Sequence, residues 1–236
     1  MQNIVLCPGM PRSGTTSLSR LIASNCYKEP QYLFGLYNFE SCYPKLYPKE
    51  IVETHINYIF YRNKMELNLE PPYSFEDYSK YISENIYDFS QTTWLLAEKQ
   101  LEEIKNSLSQ FNIKIVLMFR EPVSRLWSYC NMICTDWDSI KTPKELFDDY
   151  VGKCDSLYLD IFNKFNNIFD DVICLSTEKF FGNQQEFDKL TNFLEIDRIE
   201  MSNEKSNEIN YDKFSQDEMS KYQLLLKSSC DFYANL

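Results

Sequence analysis

The chain has 236 residues, 44% of them hydrophobic and 16% aromatic. That is enough for one substantial core and short for two, so a single domain over residues 1–236 is expected. A net charge of −11 argues against non-specific nucleic-acid binding and against an anionic membrane surface, because both need a basic field. An anionic ligand must then be held by a local basic pocket.

The apolar start from Ile4 to Cys7 is broken at once by Pro8 and Gly9, so it has neither the basic start nor the length of a signal peptide. No run of eighteen apolar residues follows, which excludes an ordinary membrane span. A soluble cytoplasmic protein is expected. The eight cysteines are scattered and accompany no export signal, so reduced thiols are expected rather than a disulfide framework. Cys130 and Cys134 are spaced for one helix face, but there is no second ligand pair and the sole histidine is His55; no metal site is expected.

In chain order, Asn3 to Cys7 reads as a buried strand, followed by a Pro/Gly loop and a helix with Leu18, Leu21 and Ile22 at helical spacing. Residues 32–81 hold thirteen aromatic residues, with prolines at 44, 48, 71 and 72. This segment is expected to supply helices and loops packing a satellite core, and a cover for the acceptor, since binding segments are commonly irregular and sit on a rigid scaffold. Asn85 to Phe89 predicts a short strand, Leu95 to Phe111 a helix with Leu101, Ile104, Leu108 and Phe111 on one stripe, and Ile113 to Phe119 a strand without polar alternation. Such strands are buried on both faces and joined by helical crossovers. Pro122 opens a helix that turns Leu126, Trp127 and Cys130 inward. A last strand from Val172 to Leu175 precedes a helix around Phe187, Leu190 and Leu194. Ser215-Gln-Asp-Glu218 is a capping box opening one amphipathic helix through Met219, Tyr222, Leu226 and Tyr233. The expected fold is α/β, a three-layer sandwich around a parallel sheet.

The first loop carries the chemistry. GMPRSGTT, from Gly9 to Thr16, matches the phosphate loop G-x-x-x-x-G-K-[ST] except at the lysine, where Thr15 stands. Glycines let backbone N–H groups converge on an anion, and the following helix adds its positive end. The missing lysine would reach the β and γ phosphates of a nucleoside triphosphate. Here the cation is Arg12, inside the loop, where it would sit by a bridging oxygen that gains charge during transfer. The second motif is FREPVSRLWSY, from Phe119 to Tyr129. An arginine at the end of a buried strand and a hydroxyl two turns into the next helix place Arg120 and Ser128 beside the crevice where α/β sheets bind ligands. Two anion sites on neighbouring strand ends suit a ligand with two separated phosphate-like groups.

These stretches resemble the sulfotransferases that use 3′-phosphoadenosine 5′-phosphosulfate (PAPS). Pro11-Arg12-Ser13-Gly14-Thr15-Thr16 is similar to their 5′-phosphosulfate loop, in the style of the carbohydrate and tyrosylprotein members. Arg120-Glu-Pro-Val-Ser-Arg-Leu-Trp-Ser128 is similar to their 3′-phosphate motif, R-x-P-x-x-R-x-x-S, and YDFSQTTWLL (residues 87–96) resembles the segment after a central strand. The resemblance implies a P-loop-like α/β fold and transfer of a sulfuryl group from PAPS to a hydroxyl acceptor. It implies that Ser13, Gly14, Thr15, Thr16 and Ser17 with Arg12 hold the 5′ group, that Arg120 and Ser128 hold the 3′-phosphate, and that Arg12 stabilises the leaving oxygen of adenosine 3′,5′-bisphosphate. No metal is implied. Many members carry a Lys-Glu pair before an aromatic segment, and Lys28-Glu29-Pro-Gln-Tyr32 is similar to it, which makes Glu29 the candidate base; Glu40, Glu53 and His55 are alternatives. The acceptor stays open, a carbohydrate or an aromatic hydroxyl. The rival readings are a metabolite kinase, which would need Mg²⁺ and a loop lysine, and a non-catalytic nucleotide-binding relative, which would have lost Arg12 or the base.

Overall fold

The apolar run at the start of the chain forms strand β1 (Gln2–Leu6), followed by a loop and helix α1 (Thr15–Ile22). The computed structural model describes residues 1–23, 33, 37, 74–136, 141–200 and 214–236. Within them, helix α2 (Phe75–Asn85) leads into the two-residue strand β2 (Tyr87–Asp88) and a 3₁₀ turn (Gln91–Leu95). Then come α3 (Glu98–Ser107), β3 (Phe111–Phe119) and α4 (Pro122–Asp136). Helices α5 (Pro143–Val151) and α6 (Leu157–Ile168) precede β4 (Asp171–Ser176). The chain continues through the single turn α7 (Thr177–Phe180), α8 (Gln184–Leu194), α9 (Gln216–Leu225) and α10 (Lys227–Ala234).

All strand pairs are parallel, in the order β2-β1-β3-β4. Leu6 pairs with Asp88 on one side and Ile115 on the other, and Phe119 pairs with Ser176. The absence of polar alternation has its expected consequence: each central strand feeds two cores. Ile4, Leu6, Ile115, Leu117 and Phe119 face one layer of helices, α2 to α6 with α9. Val5, Val116, Met118 and Leu175 face the other, made by Leu18 of α1 and Phe187, Leu190 and Leu194 of α8. The result is the three-layer α/β arrangement expected from the sequence.

Three local differences have physical causes. The helix expected from Leu95 to Phe111 is shorter, because Ala97 is extended and Gln100 reaches back to accept from its N–H at 2.8 Å. At the other end the chain turns at Leu108, so Phe111 belongs to β3. The C-terminal helix is two helices broken at Leu226 (φ −109°), and Asp155 caps the second by accepting from the N–H and hydroxyl of Ser228 at 2.7 and 2.8 Å. Helices α5 and α6 fill the stretch before β4; Thr142 and Glu145 form a capping box on α5.

Most of the aromatic segment 32–81 lies outside the described residues. Of its described residues, Leu33 and Tyr78 are fully buried in the main core. No disulfide joins the cysteines among the described residues, and no helix among them is long and apolar enough to cross a membrane.

Candidate active site

Two left-handed residues shape the loop between β1 and α1. Arg12 (φ 70°) and Gly14 (φ 85°) flank Ser13. For a residue with a Cβ this conformation costs about 1–2 kcal/mol, and backbone strain of this kind clusters at functional sites. At Gly9 close approach decides the residue, because a Cβ there would lie 2.2 Å from Thr15 Cγ2. No side chain caps α1, so its first-turn amides, which have no carbonyl partner within the helix, are left for an anion. Ser13 is fully buried and its Oγ has no hydrogen-bond partner among the described residues. An unsatisfied buried hydroxyl costs about 1–3 kcal/mol, which an anionic oxygen seated in the loop would recover. Backbone amides, an orphaned hydroxyl and a glycine cradle together fit a phosphate-like group.

Each neighbouring strand end reaches this loop. After β2, Gln91 donates to Thr15 Oγ1 at 3.3 Å. After β3, Ser128 on α4 is buried and accepts from Arg12 Nε at 2.9 Å. After β4, Thr177 points its hydroxyl at the carbonyls of Ser13 (2.8 Å) and Phe119 (2.9 Å). The order β2-β1-β3-β4 means that the chain leaves β1 toward one edge and β3 toward the other. The crevice between the C-terminal ends of β1 and β3 is therefore the topological switch point, where open α/β sheets bind ligands. The Arg12–Ser128 bond spans it.

The two arginines of the second motif take opposite positions. Arg125 is buried, its guanidinium 6.0 Å from the ring centre of Tyr158. That tyrosine donates to the Arg120 carbonyl at 2.5 Å; burial raises its phenol far above the usual range, which keeps it a donor. Arg120 itself is turned outward at the end of β3, with Nε 3.7 Å from Glu178 Oε1. The structure thus brings Arg12, Ser13, Gly14, Thr15 and Ser128 together, with Thr16 and Ser17 on the first turn of α1. Among the described residues Arg120 contacts Glu178 and, through its carbonyl, Tyr158. Glu29, Glu40, Glu53 and His55 lie outside the described residues.

Thr177, Gln91 and Glu178 escaped the sequence reading. Thr177 and Glu178 directly follow β4, so the rule that ligands gather at the carboxyl ends of parallel strands could have found them. Gln91 follows β2 in the same way and lies within the YDFSQTTWLL segment, which was not assigned a site role. No three potential metal-ligating side chains cluster among the described residues.

Neither a protein-family model nor a curated protein matches the sequence. Solved structures do. A sulfotransferase from Alicyclobacillus acidocaldarius superposes with a TM-score of 0.60 at 14% identity, over 98% of this chain and 96% of its own. The sulfotransferase domain from the curacin biosynthetic pathway superposes with a TM-score of 0.52 at 17% identity, over 84% of this chain and 75% of its own. With its parallel sheet, its loop after β1 and its flanking helices, the chain has the sulfotransferase fold.

Proposed function

We propose that the protein transfers a sulfuryl group from PAPS to a hydroxyl acceptor, a carbohydrate or an aromatic hydroxyl. The observation that carries this reading is the 2.9 Å bond between Arg12 and Ser128. It ties the loop suited to a 5′ group to the motif suited to a 3′-phosphate, from 116 positions apart in sequence. The fold likeness to sulfotransferases supports the same reading.

When bound, the donor supplies an activated sulfuryl group on a single 5′-phosphate. Ser13, the amides of Gly14 to Ser17 and the Thr15 and Thr16 hydroxyls would hold the 5′ group, and Arg120 with Ser128 the 3′-phosphate. Arg12 would neutralise charge on the departing oxygen, where a preorganised cation acts most strongly. In the structure its guanidinium is already fixed by Ser128, which limits reorganisation. Thr15, buried at the Walker lysine position, offers no cation to a γ-phosphate. Glu29 is the proposed base, with Glu40, Glu53 and His55 as alternatives.

The test is release of adenosine 3′,5′-bisphosphate from PAPS against carbohydrate, lipid, phenol and tyrosyl-peptide acceptors, in EDTA. Acceptor-dependent release that persists in EDTA is expected. ATP-dependent, EDTA-sensitive phosphotransfer would make the protein a kinase instead. Glu29→Gln should slow transfer by roughly two to four orders of magnitude with nucleotide affinity unchanged; full activity would move the base to one of the alternatives.

A further inference from the structure

Among the described residues the ion-pair partner of Arg120 is Glu178, at 3.7 Å, with side chains 36% and 45% exposed. That distance is beyond a hydrogen bond, and exposed pairs of this kind add little to a fold. Stability therefore does not explain a carboxylate beside a cation proposed to hold a phosphate. The carboxylate is nevertheless fixed by other groups. The Glu121 N–H points at both its oxygens, at 3.3 and 3.4 Å. Tyr233, on α10, donates its hydroxyl to Oε2, and Ser176 Oγ lies 2.8 Å from the same phenol oxygen. Helix α10 is itself anchored, through Phe232 against Phe119 at 5.3 Å and through the Asp155 cap on Ser228.

Two effects of Glu178 on a nearby phosphate oppose each other. Its charge repels the phosphate, and its position orients the arginine. The amide and the phenol already draw on that charge, which weakens the repulsion, whereas a guanidinium–phosphate contact is charge-assisted and depends on alignment of the planar fork, which a carboxylate fixed 3.7 Å from Nε biases. We propose that Glu178, held by Tyr233 and the Glu121 amide, is a positioning residue that takes the Nε edge of Arg120 and leaves its Nη edge for the nucleotide 3′-phosphate. Recognition of the 3′-phosphate then depends on the C-terminal helix. This inference rests on the nucleotide reading above.

The test is calorimetric measurement of the affinities for adenosine 3′,5′-bisphosphate and for AMP in the wild type and in Arg120→Ala, Glu178→Ala, Glu178→Gln and Tyr233→Phe. The ratio of the two affinities should fall about tenfold in Glu178→Ala and by a smaller factor in Tyr233→Phe, with AMP affinity unchanged in both. Glu178→Gln, which keeps an acceptor at the same position, should restore most of the ratio. A merely structural role would weaken both nucleotides alike, and that outcome overturns the proposal. So does an unchanged or increased ratio in Glu178→Ala, which would make the carboxylate a competitor of the phosphate. Should Glu178→Ala not fold, Tyr233→Phe, which removes one hydroxyl, decides by the same criteria. Wild-type protein that binds both nucleotides equally overturns the nucleotide reading and this inference with it. A ratio lost in Arg120→Ala but kept in both Glu178→Ala and Tyr233→Phe overturns only the inference.

Discussion

At Arg12 a left-handed backbone, a place inside the loop and a 2.9 Å bond to Ser128 coincide. Arg12→Ala should lower turnover by on the order of a hundredfold or more, as for loss of one electrostatic donor. Bisphosphate binding should persist in weakened form through the loop amides and Arg120; steady-state kinetics beside calorimetry separates the two effects. Gly9 offers a test of the loop geometry. Gly9→Ala puts a Cβ within 2.2 Å of Thr15 Cγ2, an overpacking that should cost about 1–3 kcal/mol in chemical denaturation. Thr15→Ser removes the clashing methyl, so the double variant should be more stable than the sum of the single changes predicts, which a double-mutant cycle measures. Strict additivity would contradict this packing. The loop residues and Ser128 were legible in sequence because they sit in short local motifs. Thr177 was missed although its place after β4 could be read from the strand end; its contact with Ser13 exists only once β4 lies beside β3.

At the scale of elements, the strands were legible and several helix ends were not. Val116 to Phe119 and Ile4 to Leu6 are apolar on both faces, which is what a central parallel strand requires. The break at Leu226 is fixed by Asp155, 71 positions before it, so periodicity alone read one helix. Helix α5 was missed despite a local signal, Thr142-Pro-Lys-Glu145. One element-to-element contact predicts a pH dependence. Lys164 on α6 donates to the carbonyls of Trp94 (2.5 Å) and Leu96 (2.8 Å) at the end of the 3₁₀ turn that carries Gln91. Burial lowers its amine to about 8, and the neutral amine still has two N–H donors for the two carbonyls. Between pH 8 and the ordinary lysine value the unfolded chain holds the proton that the folded chain has released, so stability rises with pH there. From pH 8 to 10 this contribution should be on the order of 2 kcal/mol; the thiols of Cys130, Cys154, Cys174 and Cys230, raised by burial, act in the opposite sense over the same window, and the raised tyrosines toward its upper end. Denaturation of the wild type and of Lys164→Met across that range isolates it: the stability difference should shift in favour of the wild type by that amount, and a pH-independent difference would contradict this reading of Lys164.

At the scale of the whole molecule, a chain of net charge −11 collects Arg12 and Arg120 at the carboxyl ends of β1 and β3, the two strands that flank the switch point. The sheet order, more than either motif alone, brings these two arginine-bearing strand ends together in an acidic protein: parallel crossovers to opposite edges leave them side by side at the crevice. The reading of that crevice as a site for a nucleotide phosphorylated at both 5′ and 3′ positions is most directly tested by thermal stabilisation. Adenosine 3′,5′-bisphosphate at a hundred times its dissociation constant should stabilise the fold by about 2.7 kcal/mol. AMP at the same concentration should do much less, and Arg120→Ala should abolish the difference. Equal stabilisation of the wild type by the two nucleotides would contradict the account.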